Sequence, residues 1–306
     1  MRWALRDKEG KERVEAQPGA EGVCQICLDP VFAKCGKQRR WHWAHYSGKR
    51  CDHWWETETP WHRAWKGKFP DDWQEVVLQD AQTGERHIAD VRTDDGLVIE
   101  FQHSPLDPHE RVVREKFYGN MVWFVDGKGD YRRFRKIQDV LRAIPAIQAQ
   151  QYSIVVSPGQ YFPLKWLDSV VPVIFDFQSG ASSTEAHDPM RDFLWCLLPG
   201  RVHDRAMITA WLRAAAEAEG VTKFSFFAHV ENQIDAVGDF AVITTMSRDA
   251  FVACARANAG LQFFATIIQA ANRIRQDRLE KCVQQMTAGY CRSAAALMPL
   301  QRGIRL

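Results

Sequence analysis

A chain of 306 residues, 46% of them hydrophobic, has ample material for one packed domain of ordinary size with an appendage, or for two domains. Forty Lys and Arg against 38 Asp and Glu leave a net charge of +2, which excludes nucleic-acid binding through the overall field and leaves it to local patches. The opening MRWALRDKEG is charged, lacks the apolar stretch of a signal peptide, and is followed by no window apolar enough to span a bilayer; a soluble, cytoplasmic protein with no membrane partner is expected.

The first block reads CQICLDPVFAKCGKQRRWHWAHYSGKRC, and four of the chain's eight cysteines, Cys24, Cys27, Cys35 and Cys51, fall within it. In a reducing compartment such clustering points to a metal rather than to disulfides. Cys24 and Cys27 form the first half of a tetrahedral zinc site. The second half is open between His42 with His45 and His45 with Cys51, and Cys35 is a weaker candidate. Zinc would staple residues 1–55, a module too polar to fold alone. The same block carries Lys34, Lys37, Arg39, Arg40, Lys49 and Arg50 with no acid among residues 31–50. Trp41 and Trp43, flanked by Arg39 and Arg40, are candidates to stack on unpaired bases.

Next comes ETETPWHRAWKGKF, where Glu58, His62 and Lys66 recur every fourth residue and would line one stripe of a helix over 57–68. Trp61, Trp65 and Phe69 form a second stripe at the same spacing, expected to face the core, as is Trp73. Three strands follow in WQEVVLQD, ERHIADVRT and GLVIEFQHS, the last two joined across Asp94-Asp95-Gly96, a strong hairpin signal. Asp90 and Glu100 are the carboxylates of otherwise apolar runs in these strands. Side chains alternate along a strand, so Glu100 and Gln102 share a face, and Asp90 can reach them from its neighbour. That is the layout of a divalent-metal site. DPHERVVREKFYGN then reads as a helix, with Asp107 as cap, Pro108 in first position and Gly119 at its end. MVWFV reads as a buried strand.

The order αβββαβ is the core order of restriction-endonuclease-like nucleases. Over roughly residues 1–130 the motifs resemble the competence protein CoiA-like nucleases of the PD-(D/E)xK superfamily. They are the CxxC of Cys24 and Cys27, HWAH in place of an HFxH signature, ETPWHRAWK as an E-x3-H-x3-K helix, ADV with Asp90, and EFQHS with Glu100, Gln102 and Ser104. Arg111, Arg114 and Tyr118 resemble the arginine and tyrosine positions that follow. The resemblance implies a deoxyribonuclease in which Asp90 and Glu100 hold Mg²⁺ or Mn²⁺. It leaves Glu58 as a further ligand or water-bound group, His62 as an orienting group and Gln102 as a water-positioning one. Many relatives place a lysine where Gln102 stands, and Lys66 is the candidate to supply that charge. Arg39, Arg40, Trp41, Trp43, Arg111 and Arg114 are the expected nucleic-acid contacts, with DNA single strands or frayed ends as the favoured partner.

The nuclease core is expected over 56–150, with a second basic run in Lys128, Arg132, Arg133, Arg135 and Lys136 against Asp130. Residues 151–306 read as a mixed strand-and-helix extension, α+β in class and ending in helices. YSIVVS, VPVIFDF and FLWCLLPG are its strands, 204–220 and 248–286 its helices, the second broken near Gly260. The helices after residue 247 are a candidate interface for a homo-oligomer or another protein. Two readings compete with the enzyme: a zinc-stapled DNA-binding module with a decayed nuclease core, and a subunit that recruits a partner through its C-terminal helices.

Overall fold

The structure, a computed structural model, describes residues 1–9, 12–37, 40–46, 48, 51–54, 56, 58–137, 152–178, 188, 191–201 and 239–296. No helix among them is long and apolar enough to cross a membrane. The chain divides into two compact units, one of residues 1–129, 171–194 and 247–263 and the other of 130–170, 195–246 and 264–306. These units cut across the expected blocks 1–55, 56–150 and 151–306.

The first unit opens with strands β1 (Trp3–Leu5), β2 (Arg13–Glu15), β3 (Glu21–Val23), β4 (Pro30–Lys34) and β5 (His42–His45). They form an antiparallel sheet in the order β2-β1-β3-β4-β5. Most of these strands are too short for an alternation of apolar and polar residues to register in the sequence. Ala4, Ala16, Cys24, Val31 and Trp43 make its small core. Trp43 is 2% exposed, and its Nε1 donates to Val14 O at 2.9 Å. It is therefore not a stacking surface: the largest side chain of a small module is needed to fill the module's own interior.

The expected order αβββαβ follows: α1 (Pro60–Lys66), β6 (Gln74–Gln79), β7 (Arg86–Arg92), β8 (Val98–Gln102), α2 (Pro108–Tyr118) and β9 (Met121–Asp126). Helix α1 begins three residues later than expected. Thr59, restrained by the proline after it, is extended and caps the helix by accepting from His62 N at 3.2 Å. In α2 the Asp107 carboxylate accepts from His109 N at 2.8 Å and Glu110 N at 3.3 Å. β6, β7 and β8 form the antiparallel meander, and β9 joins β8 in parallel. The β7–β8 turn needs Gly96, whose φ of 89° is a conformation that residues with a Cβ rarely adopt.

Beyond β9 lie α3 (Tyr131–Phe134), β10 (Tyr152–Val156), α4 (Leu164–Leu167), β11 (Val173–Asp176), β12 (Leu194–Leu197), β13 (Phe240–Met246), α5 (Arg248–Arg256) and α6 (Gly260–Ala296). β11 belongs to the first unit because it pairs in parallel with β9, Val173 against Trp123, both fully buried. Helix α5 belongs there too: Phe251 packs against Trp65, Phe69 and Phe124, with ring centroids 6.3, 6.4 and 5.2 Å away. Asp176 at the end of β11 accepts from Trp61 Nε1 at 3.1 Å, Trp65 Nε1 at 3.0 Å and Arg248 Nη2 at 2.6 Å. The C-terminal helix breaks where expected. Asn258 at φ 53° ends α5, and α6 restarts at Gly260, where a Cβ would stand 2.7 Å from the Leu97 side chain.

In the second unit β10 and β13 pair antiparallel from Tyr152–Thr244 to Val156–Phe240, and β12 flanks β13. Phe134 packs against Phe162 and Trp195 at 5.5 and 4.9 Å. All seven residues of β13 are buried. Its run FAVITTM, apolar from Phe240 to Ile243 and β-branched from Val242 to Thr245, is a strand signal that the sequence reading passed over. Apolar residues of α5 and α6, among them Phe251, Ala255, Phe264, Ile267, Ala271 and Leu279, are buried within the chain itself. The helix expected over 204–220 lies outside the described residues.

Candidate functional site

Cys24, Cys27, His45 and Cys51 each offer a ligand atom, and these atoms lie within 4.8 Å of one another. Cys24 and Cys27 come from the turn after β3, where Ile26 N donates to Cys24 Sγ at 3.4 Å. Cys24 Sγ stands 3.4 Å from Cys51 Sγ, and Cys27 Sγ 3.2 Å from His45 Nε2. The contact with Cys51 lowers the Cys24 thiol to about 5 against its own burial, while the same contact, with burial, raises Cys51. Three sulfurs and one imidazole suit zinc. This Cys₃His set can hold such an ion.

His42 is not in the set. HWAH is strand β5, and residues three apart on a strand face opposite sides, so His45 turns to the thiols and His42 away from them. His42 Nδ1 lies 2.8 Å from Arg40 O, and its side chain lines a cavity instead. Cys35 also stays outside the set.

That cavity, of about 380 Å³, lies within the first unit. Its lining brings together all six residues expected at the chemical site, Glu58, His62, Lys66, Asp90, Glu100 and Gln102. The β7–β8 ladder pairs Val91 with Ile99. One step further the two carboxylates take over the backbone donors: Asp90 N donates to Glu100 Oε1 at 3.1 Å, and Phe101 N to Asp90 Oδ2 at 3.0 Å. Lys66 Nζ stands 2.9 Å from Glu75 Oε1, 3.2 Å from Glu58 Oε1 and 3.7 Å from Asp90 Oδ1. His62 Nε2 is 2.9 Å from Asp90 Oδ1. The His62 contact and the Lys66–Glu58 contact are close in distance but poorly aligned. Both His62 ring nitrogens and Glu58 Oε1 are buried with no hydrogen-bond partner.

Charge in the cavity is finely divided. Burial first, and then Asp90, push the Glu100 carboxyl up to about 8, although Arg114 pulls it down. Asp90 goes the other way: burial opposes ionisation, but His62, Lys66 and the Phe101 amide hold it below its ordinary value. The pair thus keeps one proton at neutral pH. Burial also works against the Lys66 ammonium, yet Glu75, Asp90 and Glu58 together raise it, and Lys66 in turn holds Glu75 low. No three acidic or histidine ligand atoms of this cavity close to within 4.8 Å of one another among the described residues, and Glu100 Oε2 is instead 3.3 Å from Arg114 Nη1.

Arg111 and Arg114, both expected as nucleic-acid contacts, are each 4% exposed; Arg114 lines the cavity, and Arg111 is not part of its wall. Arg111 Nη1 pairs with Glu115 Oε1 at 2.6 Å, and Arg114 with Glu110 at 2.5 Å as well as with Glu100. Their face of α2 lies against the core, where a buried guanidinium requires acids around it. Arg40 and Trp41 are exposed, and Arg39 lies outside the described residues. Lys128, Arg132, Arg133, Arg135 and Lys136 are all exposed.

Five charged wall residues escaped the sequence reading: Arg2, Asp52, Glu56, Arg63 and Glu75. Glu75 was legible by the rule that found Asp90, being a carboxylate in a strand. It is 6% exposed, sits at φ 50°, and accepts from Arg2 N at 3.0 and 2.8 Å as well as from Lys66. Arg63 pairs with Glu58, with Nε to Oε2 at 2.5 Å. Glu56 accepts from Gln102 Nε2. Asp52 and Glu56 belong to irregular chain, where no periodicity marks a side chain's direction.

Residues 8–53, the segment that carries Cys24, Cys27, His45 and Cys51, match the family model described as competence protein CoiA, N-terminal domain. No curated protein and no solved structure matches the chain. Over residues 8–53, then, the chain is similar to the N-terminal domain of CoiA.

Proposed function

We propose that the chain is a metal-dependent deoxyribonuclease of restriction-endonuclease-like, PD-(D/E)xK type, acting in DNA processing during uptake, recombination or defence. The observation that carries this reading is the meeting of Asp90, Glu100, Gln102, Glu58, His62 and Lys66 in one cavity. The N-terminal family match supports the competence-related setting.

The residues fit a hard divalent cation. Oxygen donors predominate, and Glu58 Oε1 is buried in the cavity wall without a hydrogen bond. Asp90, Glu100 and Glu58 would hold Mg²⁺ or Mn²⁺. Such an ion, when bound, lowers the pKa of its water and neutralises charge on a phosphate. The chain's own groups do the rest. Lys66, kept charged by Glu75 and Asp90, faces the developing negative charge that a glutamine at position 102 cannot offset. Gln102, held through its Nε2 by Glu56 and by Ser104 O at 2.9 Å, positions a water, and His62 orients Asp90. Arg40 and His42 bring a cationic edge and an imidazole to the wall for the flanking phosphate. A cavity of about 380 Å³ with largely buried reactive groups suits a single strand or frayed end better than an intact duplex.

One observation favours the alternative of a DNA-binding module without hydrolysis: Arg114 and Arg63 already stand against Glu100 and Glu58 in the place of a metal ion. Incubation of purified protein with single-stranded, frayed and duplex DNA, in Mg²⁺, Mn²⁺ or chelator, separates the two. Cleavage of the first two substrates that chelator stops supports the enzyme. Binding without cleavage under every condition refutes it.

A further inference from the structure

The short segment that follows the last zinc-type ligand reaches into the cavity from behind. Asp52, next to Cys51, is 5% exposed. Its Oδ2 accepts from Ile88 N at 3.0 Å, two residues before Asp90 on β7. Its Oδ1 accepts from Trp54 N at 3.0 Å and stands 2.9 Å from His87 Nδ1. The Trp54 ring stacks on His87 with centroids 3.2 Å apart and planes 14° from parallel. Trp54 O accepts from Arg114 Nη2 at 2.7 Å, and Arg114 Nη1 faces Glu100 Oε2 at 3.3 Å. Two short chains of contact therefore run from Cys51, one through Asp52 to the strand of Asp90, the other through Trp54 and Arg114 to Glu100.

We propose that residues 51–54 are a positioning strut through which metal held by Cys24, Cys27, His45 and Cys51 sets the placement of Asp90 and Glu100. None of the four touches the reacting groups directly, so Asp52 and Trp54 are positioning residues. The physical reason is the tether. A four-ligand site pins Cys51 to the β3 turn and to the end of β5. With Cys51 pinned, the buried Asp52 carboxylate has a fixed origin from which to cap Ile88 N. Without it, the carboxylate must hold β7 from a loose chain, at the cost of ordering that chain. The consequence for the cavity rests on the nuclease reading; the mechanical coupling does not.

Hydrogen exchange by mass spectrometry on the full chain tests the coupling, with zinc content followed by elemental analysis. Stripping zinc with chelator is expected to speed exchange in peptides covering 86–92 and 98–102 at least about tenfold, and zinc alone, added back, to restore it. Asp52→Ala should speed the same peptides while zinc stays at about one per chain, and Asp52→Asn, which keeps an acceptor for Ile88 N, should recover part of the protection. Unchanged exchange in these peptides on zinc removal overturns the proposal. So does a rise of equal size in β10 and β13, which would mean general unfolding. Mn²⁺ titration of the same samples keeps the two readings apart: a parent that binds no Mn²⁺ defeats the nuclease assignment, while the exchange pattern still decides the strut.

Discussion

Replacing Glu100 with glutamine should stabilise the metal-free protein at neutral pH and remove its affinity for divalent metal. Glu100 is 4% exposed, and its carboxyl is pushed by burial and by Asp90 from its ordinary 4.5 up to about 8. The pKa is raised in the folded state, so between these values the native protein keeps a proton that the unfolded chain releases. That contribution to stability is complete below about pH 4.5 and is lost as the pH rises to about 8, at up to ~1.4 kcal/mol per pH unit. By about pH 7 the native state has lost roughly 3 kcal/mol through this group. Glutamine has the same length, cannot ionise, and offers an oxygen to Asp90 N, while Arg114 keeps Glu110 and Trp54 O. In chelator near pH 7 the Glu100→Gln variant should therefore melt about 5–10 °C above the parent, with the gap closing toward pH 5. Added Mn²⁺ should reverse the order, because it requires the ionised carboxyl: the parent gains melting temperature and the variant does not. Calorimetric titration in two buffers should show about one proton released per Mn²⁺ below pH 8 in the parent. Equal dependence of melting temperature on pH in parent and variant between pH 5 and 8 refutes the buried proton.

Asp90→Ala should lower DNA cleavage by orders of magnitude with binding retained, and that binding should weaken with added salt in variant and parent alike; cleavage at the parental rate, contaminants excluded, places the chemistry elsewhere. Elemental analysis should find about one zinc per chain in the parent and in His42→Ala, and none in Cys24→Ser, Cys27→Ser or in Cys51→Ser; loss of zinc from His42→Ala would contradict the strand geometry of β5. Asp176→Ala removes the acceptor of the Trp61 and Trp65 indole N–H groups and the counter-ion of Arg248, which keeps the Arg191 and Asp192 carbonyls, and should destabilise the protein by about 2–4 kcal/mol in denaturant titration. A change below about 1 kcal/mol would mean that water replaces the carboxylate there.

Much of this site was legible in the sequence because its residues sit on regular elements. Four-residue spacing put His62 and Lys66 on one side of α1, with Glu58 just ahead of the helix cap, and two-residue alternation put Glu100 and Gln102 on one face of β8. The turn residues around Gly96 brought Asp90 opposite them. Asp107 marked where α2 begins, through a side-chain oxygen that accepts the first free amides, while Thr59, which caps α1, was passed over. What sequence order determined was thus element type, element order and the grouping of side chains within one element.

Only the tertiary structure decided what depends on contacts between distant segments. Whether His42 or Cys51 completes the set with Cys24, Cys27 and His45 turned on HWAH being a strand, which puts its two histidines on opposite faces. Whether Trp43 meets solvent depended on β1 and β3 closing over it, and how far Arg114 is buried depended on Glu100, fourteen residues away, lying beneath α2. Glu75 became the counter-ion of Lys66 and Asp176 the anchor of α1 through approach of strand to helix, across nine and more than a hundred residues. Periodicity reports the direction of a side chain relative to its own backbone. The partner it meets there is set by burial and charge pairing summed over the whole fold.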